Sequence, residues 1–151
     1  MDERVAGAET ERPSQRPVVD AAWVLVVEDD DALRESLQDS LEQEGYAVAA
    51  VENGQRALDY LASAAVAPKV ILLDLMMPVL DGWDLLDRLP VGEKGVPAIP
   101  VVVMTASYRP FLKARSKAIP VHIVYKPFQW NALLRIVRDL CRGASALPPA
   151  R

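Results

Sequence analysis

The stretch VILLDLMMPVLDGWDLL, residues 70–86, decides how the chain is read. Val70 to Leu73 run without a polar break and stop on a carboxylate, Asp74. A short, wholly apolar run suits a strand buried on both faces, as in a parallel sheet. Two methionines, a proline and an Asp-Gly pair then interrupt it before a helical period resumes at Trp83. An Asp in that position either starts a turn or is the reactive group, and the stretch alone leaves both readings open.

Outward from this run the same alternation repeats. Apolar runs predict strands over 23–27, 46–51, 70–73, 101–104 and 121–125. Helical periodicity predicts helices over 32–44, where Leu33, Leu37 and Leu41 recur at four, and over 55–65, 83–89, 110–117 and 129–142. Gly45 and Gly143 stand where helix C-caps belong. Apolar strands separated by helices predict a doubly wound α/β sandwich of five βα units with right-handed crossovers. The domain is expected over 21–143, between two tails unable to bury a face, 1–20 and 144–151.

Bulk properties narrow the function. With 151 residues, 51% of them apolar, the chain suffices for one well-filled core. A net charge of −4 gives no general attraction to nucleic acid or to an anionic membrane, so neither direct nucleic-acid binding nor membrane insertion is expected. The opening MDERVAGAETERPSQRP has no apolar h-region of a secretory signal. The single cysteine, Cys141, falls in an apolar helical pattern and reads as a packed thiol in a reducing compartment. The expected location is cytoplasmic.

In an open parallel sheet, ligands bind beyond the carboxyl ends of the strands. Those ends carry Glu28, Asp29 and Asp30 after the first run, Asp74 after the third, Thr105 after the fourth and Lys126 after the fifth. Taken singly, each has an ordinary explanation. Asp30 or Asp31 can cap a helix, Asp74 can form a turn, Thr105 can be a β-branched strand residue, and Lys126 can be a solvated loop lysine. Taken together, they form a pocket of acids with one hydroxyl and one ammonium. Crowded carboxylates either rise in pKa or recruit a cation. Oxygen-only donors favour Mg²⁺ over Zn²⁺, and Mg²⁺ commonly shares its shell with a phosphoryl group. Lys126 and Thr105 are suited to hold phosphoryl oxygens, and Asp74 to act as a nucleophile that forms an aspartyl phosphate.

The segments VLVVEDD, LLDLMMPVLDGWDLL, PVVVMTAS and VYKPF strongly resemble the receiver domain of bacterial two-component response regulators. The resemblance spans roughly residues 22–143. It implies a flavodoxin-like fold with a five-stranded parallel sheet in the order 2-1-3-4-5. It implies Asp74 as phosphoacceptor, Glu28 and Asp29 as the acidic pair that supports Mg²⁺, and the backbone carbonyl of Met76 as a further metal contact. Thr105 matches the switch hydroxyl and Lys126 the lysine that contacts the phosphoryl group. The implied partners are a sensor histidine kinase or phosphotransfer protein and an unidentified downstream protein. Because only eight residues follow Gly143, a stand-alone receiver that signals by protein contact is expected.

There are departures from the family pattern. Ile123 stands three before the lysine, where the family usually has Tyr or Phe, and Pro110 and Pro120 bracket the fourth predicted helix. A phosphorylation-independent docking module is therefore the alternative reading. An Asp-nucleophile phosphohydrolase of the haloacid-dehalogenase type would need a second Asp two residues after the first, where this chain has Met76. No Gly-x-Gly or Gly-Lys-Ser/Thr supports a dinucleotide or P-loop enzyme. The single histidine, His122, lies within a strand pattern and reads as packed or edge-exposed.

Overall fold

The structure, a computed structural model, describes residues 23–90, 99–106 and 121–142. The predicted helix 110–117, the cap at Gly143, and the expected tails 1–20 and 144–151 lie outside the described residues. Five parallel strands, β1 (Trp23–Val27), β2 (Ala47–Val51), β3 (Val70–Asp74), β4 (Val101–Thr105) and β5 (Val121–Tyr125), form one sheet in the order β2-β1-β3-β4-β5. The described helices are α1 (Asp31–Gln43), α2 (Gly54–Ser63), α3 (Gly82–Arg88) and α4 (Trp130–Cys141). This is the flavodoxin-like order expected above.

Burial follows from the order. The inner strands β1, β3 and β4 are buried at every position, whereas the edge strand β2 is half-buried throughout. Alternate residues serve opposite faces, as the pleat requires. Leu25, Val27, Ile71, Leu73 and Val103 pack with Trp83 and Leu85 of α3 and Ala57 of α2. Val24, Val26, Leu72 and Met104 pack with Leu37 and Leu41 of α1 and Leu133 and Val137 of α4. Cys141 is free and joins this second face, consistent with a packed thiol. Burial pushes its pKa up to about 11.

Boundary differences have local causes. Ladder pairing extends β3 to Asp74, opposite Met104, and β4 to Thr105, opposite Tyr125, one residue beyond each predicted strand. The helix predicted over 55–65 begins at Gly54 because Asn53 caps it, its side chain accepting from the Arg56 amide at 2.8 Å. Similarly, Asp81 caps α3 by accepting from the Asp84 amide at 2.9 Å. At the end of α1, Gly45 takes φ +102°, with Tyr46 N–H bonded to Leu41 O and Gly45 N–H to Glu42 O. This is the Schellman arrangement that the glycine predicted.

Gly82 is required for a different reason. A Cβ there would lie 2.6 Å from the Leu75 Cα and 2.7 Å from the Asp74 carbonyl oxygen. Helix α3 therefore seats directly on the backbone that follows the strand-end Asp. Substituting Gly82→Ala is expected to cost about 1–3 kcal/mol through this overlap. A urea midpoint equal to that of the parent protein would contradict the close approach.

Candidate functional site

The carboxyl edge of the sheet gathers groups from three strands. Glu28 lies one residue past β1, where its amide N–H still donates to Val51 O of β2 at 3.1 Å. Lys126 lies one residue past β5, where its amide donates to Thr105 O of β4 at 2.8 Å. Both are thus held by one hydrogen bond that continues the ladder. Asp74 is the last residue of β3, between those two positions.

Glu28, Asp29 and Asp74 each direct a carboxylate oxygen into a cluster in which these atoms lie within 4.8 Å of one another. Glu28 and Asp74 are buried, whereas Asp29 is exposed. The Lys126 ammonium reaches over both buried acids, at 3.1 Å from Glu28 Oε1 and 3.7 Å from Asp74 Oδ1. The other Glu28 oxygen, Oε2, accepts from the Asp30 amide at 3.1 Å, and Asp74 Oδ1 accepts from the Met76 amide at 3.2 Å. Met76 is 68% exposed and meets the acidic cluster through its backbone amide. Thr105 is fully buried at the end of β4.

Electrostatics single out Asp74. Burial pushes its pKa from the ordinary 3.8 up to about 7, and the negative charge of Glu28 adds to the rise. Lys126 and the Met76 amide pull in the other direction without cancelling it. One ammonium faces three carboxylates, so the cluster remains short of positive charge. An all-oxygen donor set with that deficit fits a hard divalent cation such as Mg²⁺. Glu28, Asp29 and Asp74 could hold it by side-chain oxygens.

The expected site residues Glu28, Asp29, Asp74 and Lys126 are therefore brought together, with Thr105 and Met76 on the same edge. Asp30 proves to be the helix cap, its Oδ1 accepting from the Leu33 amide at 2.9 Å. His122, the second residue of β5, is partly buried, and burial lowers its pKa while Asp139 of α4 opposes the change. It lies away from the strand end. Ile123 pairs with Val103, and Tyr125, 42% exposed, pairs with Thr105. Arg34 did not stand out in the sequence, yet its side chain donates to the Glu28 carbonyl oxygen at 3.0 Å. An arginine three residues after an Asp on a helix was the available signal, but it reads as a surface ion pair.

The raised pKa has a consequence for stability. Because the folded value exceeds the unfolded one, protonated Asp74 favours the fold below about pH 4, and that contribution is lost as pH rises through about 7. In metal-free buffer, Asp74→Asn is expected to stabilise the protein more at pH 8 than at pH 4.5, by on the order of 2 kcal/mol. Urea unfolding at the two pH values measures the difference. A pH-independent difference between the two proteins would contradict the raised value.

A family profile described as the response regulator receiver domain matches residues 24–138. The response regulator MprA of Mycolicibacterium vanbaalenii is 37% identical over 123 residues, covering 79% of this chain and 50% of the relative. The chain thus spans about half the length of the curated relatives it matches. Among solved structures, the signal receiver domain of a signal transduction histidine kinase from Syntrophus aciditrophicus superposes with a TM-score of 0.68 at 30% identity. That match covers 87% of this chain and 98% of the other. The response regulator TrrA of Thermotoga maritima, solved in complex with Mg²⁺-BeF, gives a TM-score of 0.65 at 28% identity, over 79% of this chain and 98% of its own. Among the described residues, no helix is long and apolar enough to cross a membrane. The chain belongs to the receiver-domain family of response regulators in two-component signalling.

Proposed function

We propose that the protein accepts a phosphoryl group on Asp74 in a Mg²⁺-dependent transfer from a histidine kinase or phosphotransfer protein, and passes the signal on by protein contact. The observation that carries this reading is the position of the Lys126 ammonium, 3.1 Å from Glu28 and 3.7 Å from Asp74 within the acidic cluster. A lysine so placed neutralises one side of the pocket and is within reach of a phosphoryl oxygen attached to Asp74. Glu28, Asp29, Asp74 and the Met76 carbonyl are the proposed metal contacts. Bound Mg²⁺ would supply charge neutralisation for the transferring phosphoryl oxygens.

The chemistry asked of the chain is modest. A carboxylate oxygen of Asp74 attacks phosphorus, the bond from phosphorus to the donor's nitrogen or oxygen breaks, and the donor leaves with that electron pair. Glu28 and Asp29 orient the cation, Lys126 holds a phosphoryl oxygen, and the buried Thr105 hydroxyl is the group proposed to respond to the new charge. Asp74 must be ionised to attack. Neutralising the neighbouring acids lowers its raised pKa and so favours that form. The active-state contact through Ile123 is expected to differ from that of an aromatic ring, because this β-branched side chain is stiff at χ1 and carries no hydroxyl. In the family that the chain resembles, the residues two beyond the acceptor and two beyond the threonine flank the incoming water; here they are Met76 and Ser107, which carry no basic side chain. We therefore propose a comparatively long-lived phosphorylated state. The protein is proposed to be a phosphoacceptor and self-catalyst rather than a turnover enzyme, and cytoplasmic like its proposed donor.

Incubation with a small phosphodonor and Mg²⁺ is expected to add one phosphoryl group to the intact mass, and Asp74→Asn to abolish the addition. Asp29→Asn is expected to weaken the Mg²⁺ dependence of labelling with little loss of fold. Equal labelling of Asp74→Asn would reject the assignment. Absence of labelling in the parent protein would favour the docking-module alternative.

A further inference from the structure

We propose that Arg34 is a positioning residue for the metal-binding acids: its guanidinium fixes the backbone of the β1–α1 loop from which Glu28 and Asp29 project. The inference rests on the Mg²⁺ reading above and extends it to a side chain outside the acidic cluster.

The loop from Glu28 to Asp31 is crossed by the two arms of one guanidinium. Nη1 of Arg34 donates to the Glu28 carbonyl oxygen at 3.0 Å, and Nη2 donates to Asp31 Oδ1 at 2.6 Å. The first bond reaches back six residues, from the first turn of α1 to the residue that ends the β1 ladder. A surface i,i+3 pair would need only the second. The Arg34 side chain is 19% exposed against 82% for Asp31, so the buried arm is the one on the backbone.

Two physical points give this contact its meaning. A cation in the first turn of a helix opposes the macrodipole, so the dipole of α1 does not favour Arg34 at this position. The geometry also uses Arg specifically: a planar fork can meet two acceptors in different directions, whereas a lysine ammonium is a single point of charge.

With Arg34 in place, each polar atom of Glu28 is engaged. Its N–H bonds Val51, its carbonyl accepts from Arg34, Oε1 accepts from Lys126, and Oε2 accepts from the Asp30 amide. The exposed Asp29 lies between Glu28 and the helix-capping Asp30, so its placement depends on the backbone at both neighbours. Arg34 holds the first of them. Removing the fork leaves the Glu28 carbonyl without its charged donor and loosens the backbone under Asp29.

The sign of the effect separates positioning from simple charge. Deleting a positive charge beside an acidic cluster should, by Coulomb attraction alone, tighten the binding of a divalent cation. Loss of a positioning contact should weaken it. Removing outer partners of metal ligands typically costs about tenfold or more in affinity.

The test is Mg²⁺ titration of the full chain, followed by the amide resonances of Asp29 and Asp30, with thermal unfolding recorded in parallel. Arg34→Met is expected to raise the Mg²⁺ dissociation constant about tenfold. Arg34→Lys, which keeps the charge and loses the fork, is expected to fall between it and the parent. An unchanged or lowered dissociation constant in Arg34→Met would overturn the inference. Should that variant fail to fold, Arg34→Lys decides alone, with weaker binding supporting positioning and parental binding overturning it. If the parent protein shows no saturable Mg²⁺ response at Asp29, the metal reading itself fails, which is a distinct result.

Discussion

Mutual repulsion of carboxylates at the carboxyl edge of the sheet is the constraint on which the rest of the site depends. Strands β1 and β3 are direct neighbours, with Val27 opposite Leu73, so Glu28 and Asp74 emerge side by side. Asp29 brings a third carboxylate oxygen within 4.8 Å of the others. At an effective dielectric near 20, like charges about 4 Å apart cost on the order of 4 kcal/mol per pair. The fold tolerates this through Lys126, and burial together with the Glu28 charge displaces Asp74 toward its protonated form. A site that resists its own charge in this way is poised for a cation, and it makes the charge state of Asp74 sensitive to what binds there.

The surroundings keep that strained cluster in place. Sheet hydrogen bonds continue one residue past β1 and β5, fixing Glu28 and Lys126 by their backbones. Gly82 lets α3 approach the Asp74 carbonyl, and Gly54, where a Cβ would lie 2.6 Å from Leu80 O, lets α2 meet the loop that follows β3. That loop also holds Val79 at φ 73°, a conformation a β-branched residue rarely adopts. The apolar faces beneath, built by alternate strand residues, supply the rigidity against which these contacts act.

Much of this was legible in the sequence, for identifiable reasons. Inner parallel strands are buried on both faces and so appear as unbroken apolar runs, which made their ends visible, and the ends are where the chemistry lies. Strand β2 was harder to bound because Ala47–Val51 is half-buried and its flanking Tyr46 has the same apolar character. The start of α2 differs by one residue because Gly is a poor helix former, whereas Gly54 is a helical residue capped by Asn53 and in close contact with Leu80. Lys126 and Glu28, 98 residues apart, could be joined only by knowing that β5 and β1 end on one edge. The Arg34 contact was not legible at all, because its partner is a backbone carbonyl and leaves no mark on residue identity.

The most direct test of a carboxylate held buried beside other acids is the titration of the Asp74 side-chain carboxyl carbon by NMR, with and without Mg²⁺. An apparent pKa of about 7 is expected in the metal-free protein, with a clear fall when Mg²⁺ is added. An ordinary carboxylate value in the metal-free protein, unchanged by Mg²⁺, would contradict the burial of Asp74 among neighbouring acids at this edge.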